Sequence, residues 1–128
     1  MLTFGFTRSQ RLLSAKDYKE VFDDCDFRAS HRKVLILART NNKTSARLGL
    51  VFGKKNIPRS VDRNRLKRIT REQFRLQSGA PRGIDIIVMA RGALAELDNE
   101  AYAILIRKLM LDVQLQQTRK QKNELSIT

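Results

Sequence analysis

One stretch, Lys54 to Arg75 (KKNIPRSVDRNRLKRITREQFR), restricts this chain more than any other feature. It holds nine Lys and Arg residues against two acids, Asp62 and Glu72, a local charge of +7 out of a formal +13 over 128 residues. Apolar residues recur within it at helical spacing. At ~100° per residue, Val61, Leu66, Ile69 and Leu76 fall in an arc of about 140° and define a core side. Arg63, Lys67 and Arg71 follow at i, i+4, i+8 on the other side, with Asn64, Arg68 and Arg75 in a second row. Ile57-Pro58 keeps the backbone extended and Ser60 can cap the next segment, so a helix is expected from about Val61 to Leu76, with Gly79 as its stop signal. Acids at i±4 ordinarily relieve such crowding. Here Asp62 and Glu72 lie near the core boundary, and Lys54, Lys55, Arg59 and Arg63 crowd the helix start, where the macrodipole is already positive. The arrangement is unfavourable in isolation and favourable once phosphates supply the counter-charge. It points to a folded nucleic acid as partner.

The remaining residues supply a core for this helix. Apolar residues make up 41% of the chain, no Gly/Ser- or Pro-rich linker divides it, and a single domain over residues 1–119 with a frayed tail over 120–128 is expected. Ser14, with Asp17 three residues on, reads as a capped helix start, and Leu13 can staple against Tyr18. The helix is expected to reach about Asp24, with Tyr18, Val21, Phe22 and Cys25 on one stripe. Lys33 to Arg39 and Ala46 to Phe52 read as strands joined by the polar turn Asn41-Asn42-Lys43, which predicts a hairpin, with a short edge strand around Asp26 to Arg28. Gly83 to Ala90 is a nearly continuous apolar run suited to a central strand. Asp98 or Asn99 opens a last helix bearing Tyr102, Leu105, Ile106, Leu109 and Val113. The order helix, strands, helix, strand, helix predicts an α/β sandwich of helices against a sheet.

Several function classes fit poorly. No apolar run approaches the ~20 residues that span a bilayer, Arg8 and Arg11 interrupt the stretch a signal peptide would need, and the basic helix lacks the wide apolar face of a membrane-surface helix. The single cysteine, Cys25, permits no internal disulfide and fits a reducing, cytoplasmic compartment. A nuclease acting alone would need a general base, an acid or a metal cluster. His31 is the only histidine and reads as an exposed loop residue; Asp23, Asp24 and Asp26 read as a solvated helix end; Cys25 is expected in the core. A structural RNA binder, such as a ribosomal protein, would share the charge and the fold class, so only particular motifs separate the two.

Those motifs are present. Arg63 to Arg68 (RNRLKR), with Lys54-Lys55 before it and Arg71 after it, closely resembles the signature of the bacterial ribonuclease P protein subunit. Arg11-Leu12-Leu13 with Asp17 to Phe22, Arg47 to Val51 leading into the double lysine, and Ile86 to Arg91 are similar to the same family in the same order. The resemblance covers roughly residues 7–115; Gly53 stands where the family often has Ser or Ala, and Pro58 is unusual. It implies a two-layer α/β sandwich of about four strands and three helices, with a left-handed βαβ crossover where about 98% of such units are right-handed. It also implies that a catalytic RNA subunit hydrolyses the phosphodiester with bound Mg2+, while the protein binds that RNA and the 5′ leader of precursor tRNA and broadens substrate range. The protein would then contribute no catalytic residue, bind no metal itself, and need no membrane or obligate protein partner. By the same resemblance Lys54, Lys55, Arg59, Arg63, Asn64, Arg65, Lys67, Arg68 and Arg71 would meet the catalytic RNA. Tyr18 and Phe22, with Arg11, would line a cleft for the leader. Taken alone, Tyr18 and Phe22 at i, i+4 on an apolar stripe read as core residues; the resemblance favours the cleft, with Phe22 also packing on the sheet.

Overall fold

The computed structural model describes residues 14–41, 46–76 and 83–127, with side chains to Lys122. Strands β1 (Phe27–Ser30), β2 (Val34–Thr40), β3 (Arg47–Val51) and β4 (Ile84–Ala90) form one sheet in the order β1-β2-β4-β3. Helices α1 (Ala15–Asp23), α2 (Ser60–Leu76) and α3 (Asn99–Ile127) complete the fold, with a short 3-10 turn at Leu94–Glu96. The expected four strands and three helices of the α/β sandwich are present among the described residues. α2 and α3 cover one face, over Ile36, Leu48, Ile86 and Val88, while α1 lies on the other, with Val21 against Leu35, Leu37 and Ile87.

The predicted hairpin is absent. β2 and β3 do not pair; β4 lies between them, antiparallel to β2 and parallel to β3. The reason lies in β4 itself, whose side chains are buried on both faces apart from the half-buried Met89. A strand so buried cannot leave either edge unpaired, because its amides and carbonyls would find no water. The turn at 42–43 lies outside the described residues, as do the stop signal at Gly79 and the staple residue Leu13.

Ser14 caps α1 as expected: its Oγ accepts from Asp17 N at 3.2 Å and Asp17 Oδ2 accepts from Ser14 N at 3.3 Å. The helix ends at Asp23, so Cys25 leaves the helical stripe; it is exposed rather than in the core, and its Sγ donates to Phe27 O at 2.9 Å. α1 is pinned to the sheet by charge. Asp85 of β4, with its side chain 3% exposed, accepts from Arg47 Nε at 2.8 Å, Arg47 Nη2 at 2.7 Å and Asn41 Nδ2 at 2.7 Å. Arg47 also reaches Asp17 at 3.5 Å, and Arg39 reaches Glu20 and Asp24 at 3.4 Å each. The bidentate hydrogen bonds to Asp85 hold the Arg47 guanidinium above its ordinary pKa, against the opposing effect of burial.

α2 is rotated from the expected orientation. Val61 and Leu76 are 57% and 54% exposed, whereas Leu66, Ile69, Thr70, Gln73 and Phe74 are buried. Its buried side faces α3 as well as the sheet, and α3 offers polar partners. Thr70 Oγ1 donates to Leu66 O at 2.7 Å, which leaves Tyr102 as the donor in the 2.6 Å contact between their hydroxyls, and Arg107 Nε donates to Gln73 Oε1 at 3.2 Å. Ser60 is the first helical residue rather than the cap. α3 starts as expected, with Asp98 Oδ1 accepting from Ala101 N at 2.8 Å. It is helical through Ile127, across the stretch expected as a frayed tail from Lys120, and Lys120 pairs with Asp26 at 3.6 Å.

The buried polar groups give two expected outcomes. Asp85→Ala leaves Arg47 without its main counter-charge and is expected to cost about 3–5 kcal/mol in denaturant unfolding. Burial raises the pKa of the Tyr102 hydroxyl, so the folded state keeps its proton where the unfolded chain loses it. That stability is complete below the unfolded value of about 10 and is lost as pH rises above it. Tyr102→Phe is therefore expected to flatten the alkaline decline in stability by up to about 1.4 kcal/mol per pH unit, read from unfolding midpoints at successive pH values.

Candidate nucleic-acid interface

Helix α1 has two unlike flanks. Asp17, Glu20 and Asp24 engage Arg47 and Arg39 at the sheet end where β4 begins. Tyr18 and Phe22, four residues apart, occupy the other flank, and Tyr18 packs toward the end where β4 finishes. Tyr18 is half-buried against Val51 and Met89, and its hydroxyl accepts from Leu50 N of the edge strand β3 at 3.2 Å. Phe22 is 41% exposed. Its expected packing on the sheet falls to Val21 instead, one position round the helix.

The nine residues of α1 do not cover the whole sheet face. By register, Arg28 and Ser30 of β1 share this face with Leu37 and Leu35, and both are exposed. Among the described residues, the flank of α1 that bears Tyr18 and these exposed β1 side chains therefore lie on the same face of the sheet. Where β3 and β4 finish, the chain turns through Gly53–Asn56, and Asn56 Nδ2 donates to Ala90 O at 3.0 Å, tying the turn to β4. Lys54 and Lys55 are exposed on this turn, and α2 starts just beyond it. The basic turn and Tyr18 therefore lie toward one end of the sheet, while Asp17 and Glu20 are engaged at the other.

The expected basic residues have separate situations. Arg59 is exposed and stands 3.9 Å from Asp62. Arg63 is half-buried, and its Nη1 donates to Ile57 O and Pro58 O at 2.9 Å each, bracing the approach to α2. Arg65 is engaged within the protein. Its guanidinium donates to Leu97 O, Asn99 Oδ1, Asp62 Oδ1 and Ala95 O at 3.0–3.3 Å, locking α2 to the start of α3. Asp62, at i−3 in the sequence, was the available signal for that role. Asn64 and Arg68 are exposed, and with the half-buried Lys67 they make no side-chain hydrogen bond or ion pair among the described residues; Arg71 is half-buried beside them. Arg11 lies outside the described residues. A depression of about 560 Å³ beside Arg65 is rimmed by Glu96, Asp98 and Glu100, the wrong sign for phosphate.

No group of three or more His, Cys, Asp and Glu residues placed to hold a metal occurs among the described residues. His31 is half-buried rather than exposed, and its Nδ1 accepts from Lys33 N at 3.1 Å, a local turn contact. No described helix is long and apolar enough to cross a membrane.

Residues 6–114 match the family model described as Ribonuclease P. The chain belongs to that family. A ribonuclease P protein component of Chromohalobacter salexigens is 53% identical over 95 residues, covering 74% of each chain, and one of Marinobacter nauticus is 49% identical over 100 residues, covering 78% of this chain and 75% of the other. The solved ribonuclease P protein of Thermotoga maritima superposes with a TM-score of 0.62 at 31% identity, covering 77% of this chain and 96% of that one. That of Staphylococcus aureus superposes with a TM-score of 0.68 at 24% identity over 82% and 92%, a likeness of fold. Within this ribonuclease P fold, the two arginines of the RNR motif at Arg63 and Arg65 hold α2 in place, whereas Asn64 between them is exposed.

This division is testable. Arg65→Ala is expected to lower stability by about 1–3 kcal/mol, because buried carbonyls lose their donor. Arg68→Ala is expected to stay within about 0.5 kcal/mol of wild type. Thermal or urea unfolding of the two variants side by side checks both.

Proposed function

We propose that this chain works as the protein component of ribonuclease P, assisting removal of the 5′ leader from precursor tRNA while the RNA subunit, with its Mg2+, performs the hydrolysis. The observation that carries the reading in this molecule is the placement, toward one sheet end, of the exposed basic turn at Lys54 and Lys55 and of Tyr18 on the flank of α1 that it shares with the exposed Phe22. Lys54, Lys55, Arg59, Asn64, Lys67, Arg68 and Arg71 form the surface for the catalytic RNA, whose phosphates their polar and cationic side chains contact. Arg63 and Arg65 serve that surface mainly by holding α2 in place. The cleft takes the leader, whose unstacked bases can rest on an exposed ring without regard to sequence. Phe22 is the stacking platform, and Tyr18 is the post that holds α1 above β3. The exposed, unbridged Cys25 suits a cytoplasmic protein.

Reconstitution with the catalytic RNA at low magnesium, scoring cleavage at the mature 5′ end, tests the whole reading; a protein that leaves the RNA's low-magnesium activity unchanged would refute it. The ring assignment has its own test. Phe22→Ala is expected to weaken binding of leader-bearing precursor by the assembled enzyme by about 1–3 kcal/mol. Binding of mature tRNA, assembly and melting temperature are expected to stay near wild type. Tyr18→Phe keeps the ring but loses the bond to Leu50 N, so it is expected to cost about 1 kcal/mol of stability with little effect on leader affinity. Equal losses for precursor and mature tRNA in Phe22→Ala would remove the leader from this cleft.

A further inference from the structure

We infer that Arg28 is a further RNA-contacting residue of the cleft, and that Gln116 of α3 positions it. The inference rests on the reading of the cleft as the leader site and adds to it a residue outside the family's basic motif.

Arg28 is a cation presented without a partner. In Phe27-Arg28-Ala29-Ser30 the burial alternates: Phe27 and Ala29 are buried on the α3 side, and Arg28 and Ser30 are exposed on the α1 side. Arg28 lies across from Leu37, which sits under Val21 of α1. Its guanidinium makes no ion pair and no hydrogen bond among the described residues. The neighbouring cations on this sheet are engaged: Arg39 pairs with Glu20 and Asp24, Arg47 with Asp85, and Arg91 donates to Ser30 Oγ and His31 O. Arg28 and Phe22 thus combine an unpaired cation and an exposed ring on one sheet face, the pair of groups that holds a single strand by phosphate and by base.

The backbone beneath Arg28 is held by a device that core packing does not require. β1 is a four-residue edge strand, paired on one side only by β2. On its open side, Gln116 Nε2 donates to Arg28 O at 2.7 Å and Gln116 Oε1 accepts from Arg28 N at 3.2 Å. One carboxamide thereby satisfies both main-chain groups of a single residue, as a neighbouring strand would. One turn further on, Lys120 pairs with Asp26 at 3.6 Å and lies 5.7 Å from the centroid of the Phe27 ring. A short edge strand is prone to slip, and a slip of one residue would turn Arg28 to the opposite face. The clamp opposes that slip at the residue whose side chain faces the cleft. It is built from residues beyond 114, where the match to the family model ends.

The test uses the reconstituted holoenzyme, with precursor tRNA carrying a long leader, precursor cut to a one-nucleotide leader, and mature tRNA. Arg28→Ala is expected to weaken long-leader precursor binding roughly fivefold, the upper range for an exposed ionic contact. It is expected to leave the other two RNAs unchanged and to reduce the log–log salt slope by about 0.7, one phosphate on a single strand. Gln116→Met keeps the shape of the side chain and removes both hydrogen bonds; it is expected to show a smaller loss with the same leader selectivity. The double variant is expected to bind no more weakly than Arg28→Ala alone, because Gln116 acts through Arg28. A neutral Arg28→Ala beside a leader-selective Phe22→Ala would overturn this inference and leave the cleft reading standing. Neutral effects at both positions would overturn the cleft reading, and this inference with it. If Gln116→Met loses mature and precursor tRNA equally, or adds fully to Arg28→Ala, Gln116 is structural only and its positioning role is rejected.

Discussion

Strand β4 organises this molecule because neither of its faces and neither of its edges can meet water. Its Ile84, Ile86 and Val88 point into the core beneath α2 and α3, and Ile87 points into the cluster under α1. Its two edges are taken by β2 and β3. Each of the other elements is placed by its relation to this strand. The parallel pairing of β3 with β4 brings both of their ends to one side of the sheet. That is where the double lysine, the start of α2 and the Tyr18 contact with β3 come together. The only charged residue on β4, Asp85, sits at the opposite end and gathers Arg47 and Asn41, and through Arg47 it reaches Asp17 of α1.

Charge is divided along the same axis. The chain carries a formal +13, and its acids do not neutralise it evenly. Asp17, Glu20, Asp24 and Asp85 are consumed in holding α1 and the strands at one end, and Asp62 is consumed by Arg65 and Arg59 on α2. Cations that face carbonyls or acids, such as Arg47, Arg63 and Arg65, stabilise the fold. Those that do not, such as Lys54, Lys55 and Arg68, remain available to phosphate. An RNA-binding surface made this way is fixed before the RNA arrives, so little side-chain and backbone ordering is left to oppose association.

Helix α3 joins the two faces. Its first half fills the core with Tyr102, Ile106, Met110 and Val113, and its later turns run along the open edge of β1. Covering that edge with one side-chain amide and a lysine keeps it from recruiting another strand. It also holds the outermost strand of the face on which α1 rests.

The local features of this protein are written in short sequence windows. The capping box of Ser14 and Asp17, the continuous apolar run of β4, the alternation in β1 and the basic rows of α2 each depend on residues within about four positions of one another, so they can be read without knowing the fold. Together with the RNRLKR motif they determined the family, the element order and the nature of the partner. Only the tertiary structure decided which surfaces those elements present. Val61 and Leu76 look like core residues until α3 supplies Tyr102 and Arg107 for the polar Thr70 and Gln73, turning α2 by part of a rotation. Arg65 looks like a ligand for phosphate until Ala95 and Leu97, some thirty positions away, offer it their carbonyls. Phe22 looks like the residue that packs on the sheet until Val21 takes the buried position, and Leu50 takes the Tyr18 hydroxyl. In each case the deciding partner is remote in the chain, and hydrophobic periodicity carries no information about which distant donor, carbonyl or strand edge a residue will meet.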